Sequence, residues 1–329
     1  MDAKRELQDV LDGVCDTHPP AIFTQTGTIG MMEHCGCFWP EANTCPESMV
    51  KLALQPSIMF GLPTARIPFS MMTDAEALGC LLNPGSRDTQ PSVRRNLFCD
   101  GPVCPDSLPS PEEFLQKSSI DINLKAAELL STHESVYSVA AVNGPFAMVC
   151  NAIGMENTLM ALIADSDMLK QWLNAVEPLS VAYASELADR VDSILFIDEA
   201  TTDILPPDYF QFAIGDHLPK AISAARHAYT ILHCCGNTSD VASKLSVLGE
   251  DALSPEASDC LDYASRVRNR VKLFGCVNPV KDLLYGSPLD VRNAAKKSVE
   301  AGFDVITPEC GVPPRTSNEN IRALADYRS

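Results

Sequence analysis

Short apolar runs recur along the whole chain, each ending in polar or small residues and each followed by a loop and a helical pattern. They read PAIFTQTG, TARIPFS, VYSVAAVNGP, DSILFIDEA, AYTILHCCG, GEDALSPE, RVKLFGCVNP and FDVITPECG. Near-continuous hydrophobicity, β-branched residues and bounding Gly, Pro, Asn or Asp are the marks of strands covered on both faces, as in parallel sheets. Between them lie helical stretches such as PDYFQFAIGDHLPKAISAARHA and PLDVRNAAKKSVEAG, the second stopped by a glycine after its amphipathic run. Strand then helix, eight times over, predicts an α/β chain folded as a single (β/α)8 TIM barrel, with an N-terminal helical extension. The long gap between the second and third runs predicts an insertion after strand two. No Gly/Ser linker, charge block or low-complexity tract interrupts the pattern, so residues 1–329 are expected to form one domain. An open doubly wound sheet is the alternative; its dinucleotide-binding form needs a GxGxxG turn, and none occurs.

In a barrel, function sits at the C-terminal ends of the strands. The polar or soft residues there are Thr24, Gln25, Asn143, Asp198, His233, Cys235, Glu256, Asn278 and Cys310. Composition narrows what they could serve. With 25 Lys and Arg against 43 Asp and Glu, the net charge of −18 repels phosphate backbones, so nucleic acid is excluded as a partner. The opening MDAKRELQDVLDG carries no apolar signal core, and no apolar run approaches a bilayer span, so a cytoplasmic protein with no membrane partner is expected. Its 13 cysteines are therefore expected to be reduced thiols, most of them packing as small hydrophobes, with Cys80 and Cys150 as examples.

The stretch LHCCGNT ends the fifth run, and TPECGVPPRT ends the eighth. In an extended strand residues i and i+2 face the same side, so His233 and Cys235 point to one place and Cys234 away from it. Cys310 can converge on that place only if the barrel closes. One imidazole and two thiolates suit tetrahedral zinc with a fourth position left for an exchangeable ligand. Spacing by itself also admits plain packing or a nucleophilic cysteine paired with His233, though no third member of a triad is evident. A vicinal Cys234–Cys235 disulfide is geometrically strained.

The stretches PAIFTQTG, FWPEANTCPE, ARIPFSMMTDAEALG, VNGPF, HCCGNT, LSPE, FGCVNP and ECGVPPRTSNENI together resemble the uroporphyrinogen decarboxylase superfamily, in particular its corrinoid-dependent branch, the methylcobalamin:coenzyme M methyltransferases. The resemblance covers nearly the whole chain. It implies a (β/α)8 barrel and zinc held by His233, Cys235 and Cys310, with Glu256 as a displaceable fourth ligand. It also implies the reaction: zinc-dependent transfer of a methyl group from a methylated corrinoid protein (methylcobalamin) to the thiol of coenzyme M, a zinc-bound thiolate attacking methyl-cobalt(III). No D-x-H-x-x-G motif for cobalamin occurs here, so the corrinoid is expected from a carrier protein docking at the barrel mouth. The decarboxylases themselves carry N-terminal arginines and a histidine after the last strand. Here the first run reads AIFTQTGTIGMME, and Cys310 stands in the last loop.

Other acceptors, such as a tetrahydropterin or another small thiol, stay open, as does a non-catalytic zinc- or corrinoid-protein-binding partner. Asp198 and Glu199 close the fourth run, where a carboxylate could orient His233 or contact substrate. Asn143 and Asn278 end the third and seventh runs and suit hydrogen bonding to a sulfonate. An anion inside an acidic protein needs a local cation, for which Arg315 in GVPPRT is the candidate. Met31, Met32, Met71 and Met72 are expected to pack near the mouth.

Overall fold

The computed structural model of the chain describes residues 2–257, 259–267 and 270–329. Among these, the strands are β1 (Thr64–Ile67), β2 (Leu81–Asn83), β3 (Ser92–Arg95), β4 (Tyr137–Asn143), β5 (Ser193–Ile197), β6 (Tyr229–Cys234), β7 (Ala252–Pro255), β8 (Lys272–Val277) and β9 (Val305–Pro308). Seven form one parallel sheet in the order β1-β4-β5-β6-β7-β8-β9, and helices wrap its outer face. Consecutive parallel neighbours joined by helices curl into a barrel of the expected type.

The first apolar run departs from expectation. Among the described residues it forms no strand, although it occupies the place of one. Pro19 just before it and Pro20 at its start lack backbone N–H groups and cannot sustain a ladder. What remains is one bridge to β9, where Ala21 N–H donates to the Ile306 carbonyl and Ile306 N–H to that of Pro19, each at 3.0 Å. On the β1 side a side chain replaces the ladder. Thr64 Oγ1 donates to the Ile22 carbonyl at 2.7 Å and accepts from Ile22 N–H at 3.1 Å. The ring thus closes through a stitched segment.

Alternation decides what faces the ring's interior. Phe23, Val139, Ala141, Leu195, Ile231, Ala252, Phe274 and Val305 fill it, and Leu7, Val10 and Leu11 of the N-terminal helix Ala3–Leu11 join the same cluster. The expected extension is therefore part of the core. A larger apolar layer, containing Trp172, Phe196 and Leu232, lies between sheet and helices. The insertion after the second run carries the antiparallel β2–β3 hairpin and the helices Pro111–Leu115 and Ser118–Ser131. Among the described residues no single helix is long and apolar enough to cross a membrane; the helices Pro145–Ile153 and Met155–Ala164 pass that test only as a pair, bent by 110°. The first of them is almost wholly buried against the barrel.

Among the buried carboxylates, Glu250 and Asp74 form no ion pair with any described residue. Glu250 lies near the backbone amides around it, yet neither oxygen completes a hydrogen bond, and burial pushes its carboxyl up to about 7. Asp74 is pushed up to about 6 by the same cause, opposed by Asn143. A raised folded-state pKa means that the folded protein holds protons the unfolded chain has lost, so stability falls as pH rises from the unfolded value through the folded one. Urea midpoints are therefore expected to be higher at about pH 5.5 than at about pH 8, and Glu250→Gln is expected to narrow the difference.

Candidate metal centre at the barrel mouth

β6 carries the site on the strand alternation that the sequence predicts. Ile231 points into the barrel and Leu232 and Cys234 into the outer layer, so His233 lies on the inner side. The chain turns directly after Cys235 at Gly236, whose φ of 71° is left-handed and where a Cβ would come within 2.5 Å of Thr201 Oγ1. On the far side of the closed ring, Cys310 follows β9. The first run holds it there: Thr24 Oγ1 donates to the Cys310 carbonyl at 2.8 Å, and Val312 N–H to the Gln25 carbonyl at 2.9 Å.

The three candidate ligands meet. His233 Nε2 lies 3.3 Å from Cys235 Sγ, which lies 3.3 Å from Cys310 Sγ, and the three ligand atoms fall within 4.8 Å of one another. His233 Nδ1 sits 2.8 Å from the Ser254 carbonyl on β7, an acceptor that requires the Nδ1–H tautomer and leaves the Nε2 lone pair facing the sulfurs. A hydrogen bond from Cys235, with the His233 ring beside it, pushes the Cys310 thiol well below the usual thiol range, against its burial. The same partnership, with burial, pushes Cys235 up. One proton leaves this pair easily and the second is resisted. A divalent cation answers both demands, because it takes up two thiolates at once in place of the shared proton. An imidazole lone pair beside two sulfurs, with the other ring nitrogen anchored, is a donor set that fits zinc.

Carboxylates surround the sulfurs. Glu199 is raised by burial, with His233 pulling the other way and Cys310 adding to the rise, so its charge lies within reach of both ligands. Glu256 Oε2 accepts from Gly236 N–H at 2.8 Å, and its charge is felt at Cys235. Glu309 is pushed up to about 7 by burial while accepting from Asn278 Nδ2.

The other predicted residues hold the scaffold. Asp198 Oδ1 accepts from Ala147 N–H at 2.7 Å and Glu199 N–H at 2.9 Å, capping helix Pro145–Ile153 from a neighbouring strand end. Burial pushes its carboxyl up to about 7. Strand alternation explains the division of labour: Ile197 packs toward the interior, Asp198 turns out and Glu199 turns in. Asn143 Nδ2 donates to the Met71 carbonyl at 2.7 Å and to Asp74 Oδ2 at 2.9 Å. Asn278 Oδ1 caps the turn that follows it, accepting from Val280 and Lys281 N–H. Arg315 is exposed and paired with Asp88 beside the hairpin. Met31 and Met32 are fully buried, as expected of packing residues. Cys80 and Cys150 are also buried. Cys260 and Cys276 depart from the all-thiol expectation, because helix Cys260–Val267 and β8 bring them together as a disulfide.

The uroporphyrinogen decarboxylase (URO-D) family model matches residues 2–329. The chain belongs to this family. Within it, the chain is 31% identical to a methylcobamide:CoM methyltransferase, MtaA, of Methanosarcina barkeri, over 99% of this chain and 97% of that one. It is 28% identical to a methylcobamide:CoM methyltransferase, MtbA, of Methanosarcina mazei, over 94% of this chain and 92% of that one. A solved methyltransferase from Methanosarcina mazei superposes with a TM-score of 0.93 at 30% identity, covering 100% of this chain and 98% of the other. This family member is a methyltransferase, in the branch that its motifs resemble. A B12-independent methionine synthase from Shewanella sp. W3-18-1, at 14% identity and a TM-score of 0.58, shares the fold alone.

Arg315→Ala tests the surface reading of that arginine. Exposed ion pairs contribute about 0–1 kcal/mol, so the variant is expected to keep its stability within that range and its acceptor KM within about twofold of wild type. A large rise in KM would place Arg315 on the substrate.

Proposed function

We propose that this protein transfers a methyl group from a methylated corrinoid, presented by a carrier protein at the barrel mouth, to the thiol of coenzyme M. The convergence of His233, Cys235 and Cys310 carries the reading. Relatives named methylcobamide:CoM methyltransferases over nearly their full length support the two substrates.

Zinc held by these residues would supply the positive charge that keeps an acceptor thiol deprotonated at neutral pH, where a free thiol with a pKa of about 8.5 is mostly protonated. Ser254 orients the imidazole through its carbonyl, and the Thr24 and Gln25 contacts hold the Cys310 loop so that both sulfurs face the same point. Glu256, whose carboxylate accepts from Gly236 N–H beside Cys235, would be the displaceable fourth ligand in this reading. The acceptor sulfur then attacks the methyl carbon in line; the carbon–sulfur bond forms as the cobalt–carbon bond breaks, its electron pair staying on cobalt. No proton is needed by the leaving group. The barrel wall fixes the direction of attack, and the corrinoid brings the leaving-group chemistry.

The carrier docks over the C-terminal face in this reading, and the chain works as one domain over residues 1–329 in the cytoplasm. The assay is spectrophotometric demethylation of methylcobalamin by zinc-loaded protein with coenzyme M, homocysteine and tetrahydrofolate in turn. Turnover with coenzyme M well above the other two is expected. Turnover only with tetrahydrofolate would overturn the acceptor.

A further inference from the structure

Arg66 is an anomaly inside the barrel. It lies on β1 in register with Val139, an interior residue, and is 3% exposed. Its guanidinium donates to the Pro68 carbonyl and approaches Met71 Sδ at 3.1 Å, while its Nε has no partner. Among the described residues it forms no ion pair. A buried guanidinium without a carboxylate costs several kcal/mol, and native proteins keep such groups where an anion arrives to meet them.

Its place in the ring relates it to the metal centre. Met71 contacts Arg66 and receives, at its carbonyl, the Asn143 side chain; Asn143 is in register with Ile197, and Ile197 with His233. Register from Arg66 runs through Val139 and Ser193 to Tyr229. An eight-stranded barrel of shear eight steps by about one residue per strand, which raises Arg66 over three strands to nearly the level of His233. Arg66 therefore lies on the interior side of β1 near the level of His233, with its guanidinium held at the strand end by the Pro68 carbonyl and Met71 Sδ.

We propose that Arg66 is the anion-recognition residue of this site, binding the sulfonate of an acceptor whose thiol is directed at His233, Cys235 and Cys310. The proposal rests on the acceptor reading above and deepens it. A planar fork of N–H donors suits a sulfonate oxyanion, and a two-carbon chain between thiol and sulfonate suits two recognition points on facing walls. Arg315, already neutralised by Asp88 on the surface, is not available for the role. Met71 and Asn143 position Arg66 rather than touch the ligand.

The test compares coenzyme M with 2-mercaptoethanol, which has a hydroxyl in place of the sulfonate, using zinc-loaded wild type, Arg66→Met and Arg66→Lys. Zinc content and circular dichroism serve as checks of folding. Wild type is expected to favour coenzyme M in kcat/KM. Arg66→Met is expected to lose about a hundredfold of that preference, mostly in KM, because a buried charged partner has gone. Arg66→Lys is expected to recover part of it. In parallel, calorimetric titration with ethanesulfonate, which has no thiol, is expected to show binding to wild type and at least about tenfold weaker binding to Arg66→Met. An unchanged preference in Arg66→Met, or no ethanesulfonate binding to wild type, overturns the proposal. Ethanesulfonate binding that depends on Arg66 in a protein that methylates no thiol would leave the anion site standing and remove the acceptor reading instead.

Discussion

Cys310→Ser is expected to purify with less than about a tenth of wild-type zinc and to lose methyl transfer by about a thousandfold or more. His233→Ala and Cys235→Ser are expected to do the same, because each removes one of the three atoms that lie within 4.8 Å of one another. The informative control is Cys234→Ser. Cys234 is fully buried in the outer apolar layer, between His233 and Cys235 in sequence but on the opposite face of β6. Its substitution is expected to keep zinc while costing about 1–3 kcal/mol for a hydroxyl placed among apolar neighbours. Metal analysis of the purified proteins with urea unfolding separates the two kinds of loss. Undiminished zinc in all three ligand variants would sink the metal centre.

Asp198→Ala is expected to lower stability by about 2–3 kcal/mol, above the roughly 0.5–2 kcal/mol of a lost helix cap because a second donor also loses its acceptor, and to leave zinc content intact. The carboxylate satisfies the buried Ala147 amide at the start of helix Pro145–Ile153 and the part-buried Glu199 amide beside the candidate metal ligands, so the variant leaves both donors unpaired. Its second oxygen rests against Gly144, where a Cβ would come within 2.1 Å. Gly144→Ala is accordingly expected to be destabilised through the same contact, and Asp198→Asn, which keeps an acceptor oxygen, to be milder than Asp198→Ala. Equilibrium urea unfolding with zinc determination is the measurement. A fully stable Asp198→Ala that instead loses acceptor affinity would put Asp198 on the substrate.

These two sites show where reading from sequence succeeds and where it stops. The fifth run contained enough to choose Cys235 over Cys234, because side-chain alternation is a local rule and the strand is regular up to the turn. The same rule extended past Ile197 selects Glu199 over Asp198 as the carboxylate nearer the candidate metal ligands. Both had been candidates, since a strand's last residues can cap a helix or face the mouth equally well until the neighbouring helix is in place. Arg66 sat unremarked in TARIPFS because one arginine in an apolar run reads as a strand end. Only its register with Val139 reveals that it points inward, where no described residue forms an ion pair with it. Arg315 is the opposite case: it stands in a loop near Cys310, but the hairpin inserted after β1 carries Asp88 to it.

The succession of parallel strands, the barrel they imply and the pairing of His233 with Cys235 were determined by the sequence alone, since each follows from periodicity over a few residues. The first run is the instructive exception. Its hydrophobicity earned it a place in the ring, while Pro19 and Pro20 denied it a ladder, and Thr64 made up part of the closure from the neighbouring strand. Tertiary structure alone decided that Cys310 reaches the same point as Cys235, that Thr24 and Gln25 hold it there, and that Arg66 faces the ring with no counter-charge among the described residues. Those outcomes depend on closure, shear and long-range hydrogen bonds, which join residues far apart in the chain and leave no local pattern to read.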